Sequence, residues 1–256
     1  MVVCDGESIP PAMGNEFYDP GNQRAARVND LFSAIASRYD LLNDLQSFGL
    51  HRVWKRRLVR LVRAQPGERA LDVCCGTGDI TLALAACGAR AVGVDFSGPM
   101  LRMAEARSQK SGGRFPTPDL QPLFIRGDAQ QIPFADNGFE IVTVGYGLRN
   151  LASWETGLRE MQRVAKLGGR VLTLDFGKPD NGLWRGLYFG YLKLCVPVLG
   201  RIFCGNAAAY AYILESLKHY PAQRGMAAKM SELGLGMVRT VNLLGGIMSI
   251  HYGVKT

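Results

Sequence analysis

Four acids, Asp72, Asp79, Asp95 and Asp128, are spaced around a glycine pair, and that pattern asks for a ligand with a positive centre. The run "LDVCCGTGDI" carries Asp72 into Gly76-Thr77-Gly78, the way a strand hands over to a helix around a nucleotide-like cofactor. A dinucleotide site would continue to a third glycine, with its pyrophosphate seated on the helix N-terminus. Here Asp79-Ile80-Thr81 follows instead, so Asp79 sets a carboxylate where a diphosphate would sit, and like charges repel in a partly dry site. S-adenosylmethionine reverses the sign, because it carries a sulfonium and an ammonium and no phosphate. Glycines then let the backbone approach the ligand closely. Asp95 ends "VGVDFS" at a position suited to gripping both ribose hydroxyls, with Phe96 next to it. "RGDAQQIPF" places Asp128 and Ala129 where an adenine edge could be read. The plainer reading makes Gly76 and Gly78 a mere turn and Asp79 an acid serving the helix dipole. Asp95 and Asp128, each at a strand end on the same sheet edge, weigh against it. The expected cofactor is S-adenosylmethionine, contacted by Asp72, Gly76, Thr77, Gly78, Asp95, Phe96, Asp128, Ala129 and Gly145.

These residues need a sheet whose strands end at one edge, and the periodicity supplies it. Residues 70–75, 90–96, 122–126, 140–145 and 170–176 read as strands. Residues 79–87, 99–110 and 155–166 read as helices, with Ser97 as the expected cap of the second. Such alternation predicts an α/β fold with a parallel sheet covered by helices. The tail "VRTVNLLGGIMSIHYGVKT" reads as two strands in a hairpin. The expected architecture is therefore a Rossmann-like class I methyltransferase: a mostly parallel seven-stranded sheet, a C-terminal antiparallel hairpin and N-terminal helices, which the family resemblance given below makes a substrate lid. Val28, Leu31, Phe32 and Ile35 predict one N-terminal helix; Trp54, Leu58, Leu61 and Val62 predict another, with a break at "YDLLNDLQSFGLH". The predicted divisions are a lead-in at 1–24, N-terminal helices at 25–64 and the methyltransferase domain at 65–256. An apolar insertion interrupted by Gly and Pro occupies about 179–221 of that domain.

Composition narrows the partners. The net charge of +8 favours an anionic one, RNA or an anionic lipid surface. Six cysteines without a Cys-x-x-Cys pair, and three histidines, argue against a zinc site or a disulfide framework, so no metal and a reducing, cytoplasmic setting are expected. The acid-bearing N-terminus has no apolar core of a signal peptide. "HRVWKRRLVRLVR" sets Arg and Lys beside an apolar stripe, and "LWRGLYFGYLKLCVPVLGRIF" interleaves aromatics and aliphatics with Arg and Lys. The second segment is interrupted too often by charge to span a bilayer but suits the headgroup region. Peripheral contact with the inner face of the membrane is expected, no nucleic acid is, and a homodimer is among the assemblies the sequence allows.

The methyl acceptor should meet the end of the fourth strand, "VTVGYGLRN". It lacks the Asn/Asp-Pro-Pro-aromatic turn that stacks a nucleobase amine. It offers two glycines around Tyr146, then Arg149 and Asn150, which could bind an oxygen on a ring. Here the chain resembles the C-methyltransferases of ubiquinone and menaquinone biosynthesis, from about Val28 onward. The shared stretches include "FSAIASRYDLLNDLQSFGLHRVWKR", "LDVCCGTGD", "VDFSGPML", "GDAQQIPFADNGFEIVTVGYGLRN", "LREMQRVAKLGGRVLTLDFGKP" and "GGIMSIHYGVK". The Tyr-Asp-x-x-Asn helix start and the Gly-Leu-Arg-Asn strand end are specific to that family; the glycine turn is shared by methyltransferases generally. "CCGTGD" and "GYGLRN" look like the naphthoquinone branch, and the tail looks more like the branch handling demethylmenaquinone or the benzoquinone precursor. The resemblance implies a lipid-soluble prenylated quinol, demethylmenaquinol first, methylated on a ring carbon. A 2-phytyl-1,4-naphthoquinol or a ubiquinone precursor is the alternative. It also implies that Arg149 and Asn150 face the phenolate oxygen and that Tyr39, Asp40 and Asn43 form a lid over the ring. The general base is left open between Asp40 and a water held by Arg149. His51 reads as a helix-surface residue, and Cys74 and Cys75 as packing residues. An RNA methyltransferase and a non-catalytic cofactor-binding partner are the competing functions.

Overall fold

The computed structural model describes residues 39–111, 115, 117–204, 216–217 and 220–256. The expected lead-in and the helix through Val28 and Ile35 lie outside the described residues. Helices α1 (Tyr39–Ser47) and α2 (Leu50–Val62) precede a strand and helix series. That series runs β1 (Arg69–Val73), α3 (Asp79–Ala86), β2 (Arg90–Asp95), α4 (Gly98–Lys110), β3 (Leu123–Arg126), β4 (Phe139–Gly145), α5 (Trp154–Val164) and β5 (Ala165–Phe176). Helices α6 (Gly182–Cys204) and α7 (Gln223–Glu232) lead to the closing pair β6 (Leu235–Leu243) and β7 (Met248–Lys255).

One seven-stranded sheet forms with the order β3-β2-β1-β4-β5-β7-β6. Strands β1 to β5 pair in parallel, whereas β7 runs antiparallel to both β5 and β6. Parallel strands must be covered on both faces, and the side-chain alternation of β1 shows it. Leu71 and Val73 pack on one face with Leu158, Met161 and Val164 of α5 and Met226 and Met230 of α7. Ala70 faces the other side with Leu58, Val59 and Val62 of α2 and Ile80, Leu84 and Ala85 of α3. The chain leaves β1 toward β2 on one flank, and β4 lies on the other, so a crevice opens at the carboxyl ends of these strands.

Four expectations need correction. The break predicted at residues 39–51 is helical except for a tight turn at Phe48 and Gly49, both with positive φ. Ser97 stands at the N-terminus of α4 but makes no side-chain cap; its N–H instead donates to Asp95 Oδ1 at 2.9 Å. Strand β5 follows α5 without a loop: Ala165 pairs with Phe139, residues 166–169 bulge out, and pairing resumes at Arg170 with Ile141. Gly168, at φ 74°, permits that excursion. Within the insertion, read as interrupted by glycine and proline, residues 182–204 form a continuous 23-residue helix through Gly186, Gly190 and Pro197. No helix among the described residues is long and apolar enough to cross a membrane.

Candidate active site

The loop from β1 to α3 is held by two carboxylates, Asp72 buried and Asp95 half-buried. Asp72 is 1% exposed; its Oδ2 accepts from the Thr81 N–H (3.1 Å) and the Thr81 hydroxyl (2.7 Å), and its Oδ1 from the Thr143 hydroxyl (2.9 Å). Burial pushes this carboxyl up to about 6, against the pull of those donors. Asp72 thus ties α3 and β4 to β1. Asp95, at the end of β2, accepts from Gly76 N–H through Oδ2 at 2.8 Å and from Ser97 N–H through Oδ1. Burial raises it too, while the amides of Ser97, Gly76 and Phe96 oppose the shift.

The two glycines differ in what surrounds them. Both have left-handed φ, 56° at Gly76 and 83° at Gly78. A side chain at Gly76 would meet nothing within 4 Å, whereas at Gly78 a Cβ would sit 3.0 Å from Ala104 Cβ and from the Phe124 ring. Gly76 leaves open space for a ligand, and Gly78 lets α3 pack on α4 and β3. Thr77 is buried, with its carbonyl and hydroxyl accepting from Arg107 at 3.0 and 2.9 Å.

Asp79 behaves differently from the expectation that it repels anions. Lys55 Nζ lies 2.8 Å from its Oδ2, and Arg107 pairs with its Oδ1. Against the upward push of burial, these two cations hold its carboxyl down to about 2. The loop therefore carries a compensated acid, whose charge alone would not turn away an anion. Lys55, which sequence reasoning missed, sits 24 residues away on α2 and also lies 5.8 Å above the Tyr146 ring. The signal for it in the sequence is the basic run preceding β1, which suits a lipid or RNA surface equally well.

A pocket with about 840 Å3 of empty space, part of it open to solvent, runs along the strand ends. It brings together Gly76, Asp95, Phe96, Asp128, Ala129, Gly145 and Asn150 from the expected set. Asp128 Oδ1 accepts from Gln130 N–H at 2.8 Å, which shapes the turn after β3. Phe96 is exposed beneath the Arg126 guanidinium, 5.8 Å from the ring centroid. A smaller cleft of about 300 Å3 takes in Asp72, Thr77, Lys55 and Asp79 and shares Cys74, Gly76 and Gly145 with the larger one. Gly78 lines neither. Cys74 adopts φ 53°, and its side chain touches the space a Cβ on Gly147 would need, so the two loops lock together. Burial keeps the thiols of Cys74 and Cys75 well up from their ordinary value.

On the acceptor side, Asn150 lines the pocket and donates to the Tyr146 carbonyl at 3.1 Å. Arg149, expected beside it at the acceptor, is buried and does not line the pocket. Its Nη1 donates to the Tyr146 carbonyl at 2.7 Å and to Asp175 Oδ1 at 2.8 Å, and its guanidinium stacks 4.6 Å from the Phe176 centroid. Burial raises Asp175 despite Arg149. Asp175 Oδ2 and the hydroxyls of Tyr188 and Tyr220 are buried without hydrogen-bond partners, and both tyrosines feel the Arg149–Asp175 charges. Sequence reasoning missed this group; Asp175 was legible only as the end of a strand.

Asn43 lies on α1, half-buried, with its carbonyl accepting from the Ser47 hydroxyl at 2.6 Å. Tyr39 and Asp40 open the same helix in the backbone, and the lid role expected of their side chains lies outside the described residues. Helix α1 meets α6 through the Tyr191 hydroxyl, which donates to the Gln46 carbonyl at 3.0 Å. His51, expected on a helix surface, is 3% exposed. It falls on the face of α2 that carries Leu58 and Val62 into the core.

Known proteins resemble this chain in sequence and in fold. The chain is 41% identical over 239 residues to a demethylmenaquinone methyltransferase of Desulfitobacterium hafniense, covering 92% of each chain. It is 38% identical to a ubiquinone/menaquinone biosynthesis C-methyltransferase UbiE of Ectopseudomonas mendocina, covering 92% of this chain and 91% of the relative. Among solved structures, the fold matches magnesium protoporphyrin IX methyltransferase (ChlM) of Synechocystis with bound SAH. That match has a TM-score of 0.65 at 18% identity, over 91% of this chain and 100% of that one. A SAM dependent methyltransferase of Aquifex aeolicus matches at TM-score 0.57 and 16% identity, covering 93% and 100%. The model of the ubiE/COQ5 methyltransferase family matches residues 21–255, which takes in the glycine loop, the strand-end acids and the Arg149-Asn150 turn, and the chain belongs to that family.

Proposed function

We propose that the protein transfers the methyl group of S-adenosylmethionine to a ring carbon of a prenylated quinol, demethylmenaquinol first among them. The observation that carries the reading is full-length similarity to a demethylmenaquinone methyltransferase, with the strand-end acids and Asn150 gathered around one pocket. The residues present fit the cofactor. Gly76 leaves open space at the pocket wall, Asp95 stands at the end of β2 for the ribose, and Asp128 and Ala129 line the pocket where the adenine would lie. Lys55, in the adjoining cleft with Thr77, is placed for the carboxylate of the methionine moiety. When bound, the cofactor supplies an electrophilic methyl on a sulfonium. Asn150 then faces the acceptor ring from the pocket wall, while Arg149, outside the pocket lining and paired with Asp175, holds the Tyr146 turn beside it. Asn43 belongs to the lid over that ring, together with Tyr39 and Asp40.

The same reading includes contact with an anionic membrane surface. A quinol with an isoprenoid tail partitions into the bilayer, and the protein exposes apolar side chains where it would approach. Phe48 is 79% exposed, Leu183 77% and Leu194 68%, with the exposed Arg52, Arg56, Arg57 and Arg60 on α2. Methyl-labelled S-adenosylmethionine offered with reduced demethylmenaquinol, a 2-phytyl-1,4-naphthoquinol, a ubiquinone precursor and total RNA in separate tubes tests the function. Label is expected in demethylmenaquinol most strongly. Label in RNA alone would replace the quinol reading with a nucleic-acid one.

A further inference from the structure

We propose that Asp175 is a positioning residue of the methyl transfer: through Arg149 it holds Tyr146 in a strained turn, and that turn fixes Asn150 at the pocket wall. The inference rests on the quinol reading above and adds to it a residue that touches no ligand. Asp175 is 3% exposed and lines neither the pocket nor the cleft beside it.

The strain sits at Tyr146, whose φ is 64°. A bulky residue seldom takes this left-handed conformation, and such strain persists where the surroundings over-determine it. Both sides of the residue are tied to the end of β5. Its N–H donates to the Leu174 carbonyl at 2.7 Å. Its carbonyl accepts from Arg149 Nη1 at 2.7 Å, and the same Nη1 donates to Asp175 Oδ1 at 2.8 Å. The second lone pair of that carbonyl takes Asn150 Nδ2 at 3.1 Å. A carbonyl only accepts, so the amide nitrogen of Asn150 faces Tyr146 and the orientation of the amide is set.

Phe176 completes the bracket. Its N–H donates to Asp175 Oδ1 at 2.9 Å, and its ring centroid lies 4.6 Å from the Arg149 guanidinium carbon and 6.0 Å from the Tyr146 centroid. Asp175 Oδ2 is buried without a hydrogen-bond partner among the described residues. An apolar pair in place of a buried ion pair is often neutral or stabilising, so rigidity alone does not call for this carboxylate. What it holds does. Gly145, Tyr146, Gly147 and Asn150 all line the pocket, and a Cβ on Gly147 would overlap Cys74 of the cofactor loop. A shift of the turn therefore moves the acceptor wall against the cofactor loop. Misplacement by about 1 Å from a remote change can cost about 10²-fold in rate.

The test uses the full chain, labelled S-adenosylmethionine and reduced demethylmenaquinol, each variant being assayed well below its own unfolding midpoint. Asp175→Ala should bind S-adenosylmethionine with wild-type affinity by calorimetry and lose about 10²-fold in kcat. Asp175→Asn keeps an oxygen for Arg149 Nη1 and the Phe176 N–H, and should restore most of that loss. In the Arg149→Leu background, adding Asp175→Ala should lower kcat no further, because Asp175 acts only through Arg149. The double variant should nevertheless regain stability, whereas a purely structural role would return kcat along with the fold. The comparison of Arg149→Leu with the double variant holds even where Asp175→Ala alone does not fold. Wild-type kcat in folded Asp175→Ala, a further loss in the double variant, or kcat recovered with its stability would each overturn the proposal. In those cases wild-type transfer to quinol leaves the function standing. Wild-type protein that labels no quinol at all would overturn both.

Discussion

Gly76 and Gly78 look alike in the sequence and in φ, yet a methyl added to each should fail differently. At Gly78 it would meet Ala104 and Phe124 at 3.0 Å, so Gly78→Ala should cost about 1–3 kcal/mol of stability, read by urea unfolding. At Gly76 it would project into open space beside the pocket, so Gly76→Ala should act mainly on cofactor affinity, read by calorimetry. Two buried titrating residues make opposite statements about pH. His251 contacts Thr173 and the Gln223 carbonyl, and burial lowers its imidazole from 6.5 to about 4. The unfolded chain takes that proton first, so its stabilising contribution is full above 6.5 and is lost as pH falls toward 4, about 3 kcal/mol in all. Asp72, raised from 3.8 to about 6, contributes most below 3.8 and loses that contribution as pH rises through 6. The two slopes oppose each other between about 4 and 6. In Asp72→Asn, unfolding midpoints across that window should rise with pH more steeply than in the wild type; an unchanged profile would remove Asp72 from the balance. At this scale the sequence was legible where chemistry is local. Asp95 and Asp128 could be assigned to strand ends because each closes an apolar run. Lys55 with Asp79 could not, because 24 residues separate them and only the packing of α2 on α3 unites them.

At the scale of elements, Arg149 and Asp175 join the turn after β4 to the end of β5. The side chains are 8% and 4% exposed, and removing one leaves the other charged in a dry place. Asp175→Ala should therefore destabilise the fold by about 3–5 kcal/mol in chemical unfolding, with the loss partly recovered in the double variant Asp175→Ala, Arg149→Leu. A loss below about 1 kcal/mol would mean that water reaches the pair. The β/α alternation was legible because buried parallel strands leave short apolar runs bounded by glycine. The face presented by α2 was less so: His51 was read outward because Arg52, Lys55, Arg56 and Arg57 crowd the same stretch, whereas the core-directed stripe of Leu58 and Val62 carries it inward. The interrupted insertion was misread for a related reason. Gly186 and Gly190 are helix-weakening residues, but they are four apart, one turn along the same face, and the helix continues through both.

For the whole molecule, the sheet opens a pocket at its carboxyl edge, α1 meets α6 through Gln46 and Tyr191, and Lys55 of α2 lies over the Tyr146 ring at the pocket wall. The exposed Phe48 and the apolar residues of α6 lie near one another, with Phe48 and Tyr191 rings 6.4 Å apart. Flotation with anionic liposomes should carry the wild type upward and leave Phe48→Asp with Leu194→Asp behind, in a salt-dependent manner. Equal flotation of both would place the contact elsewhere.

The central claim is methylation at a ring carbon of a quinol, and the product itself reports it. Reduced demethylmenaquinol is incubated with protein and methyl-labelled S-adenosylmethionine, extracted, reoxidised in air and weighed by mass spectrometry. A ring-carbon methyl survives reoxidation, so the claim predicts labelled menaquinone. Label held in a species that no longer oxidises to a quinone would place the methyl on oxygen and contradict it, as would quinone recovered without label while RNA carries it.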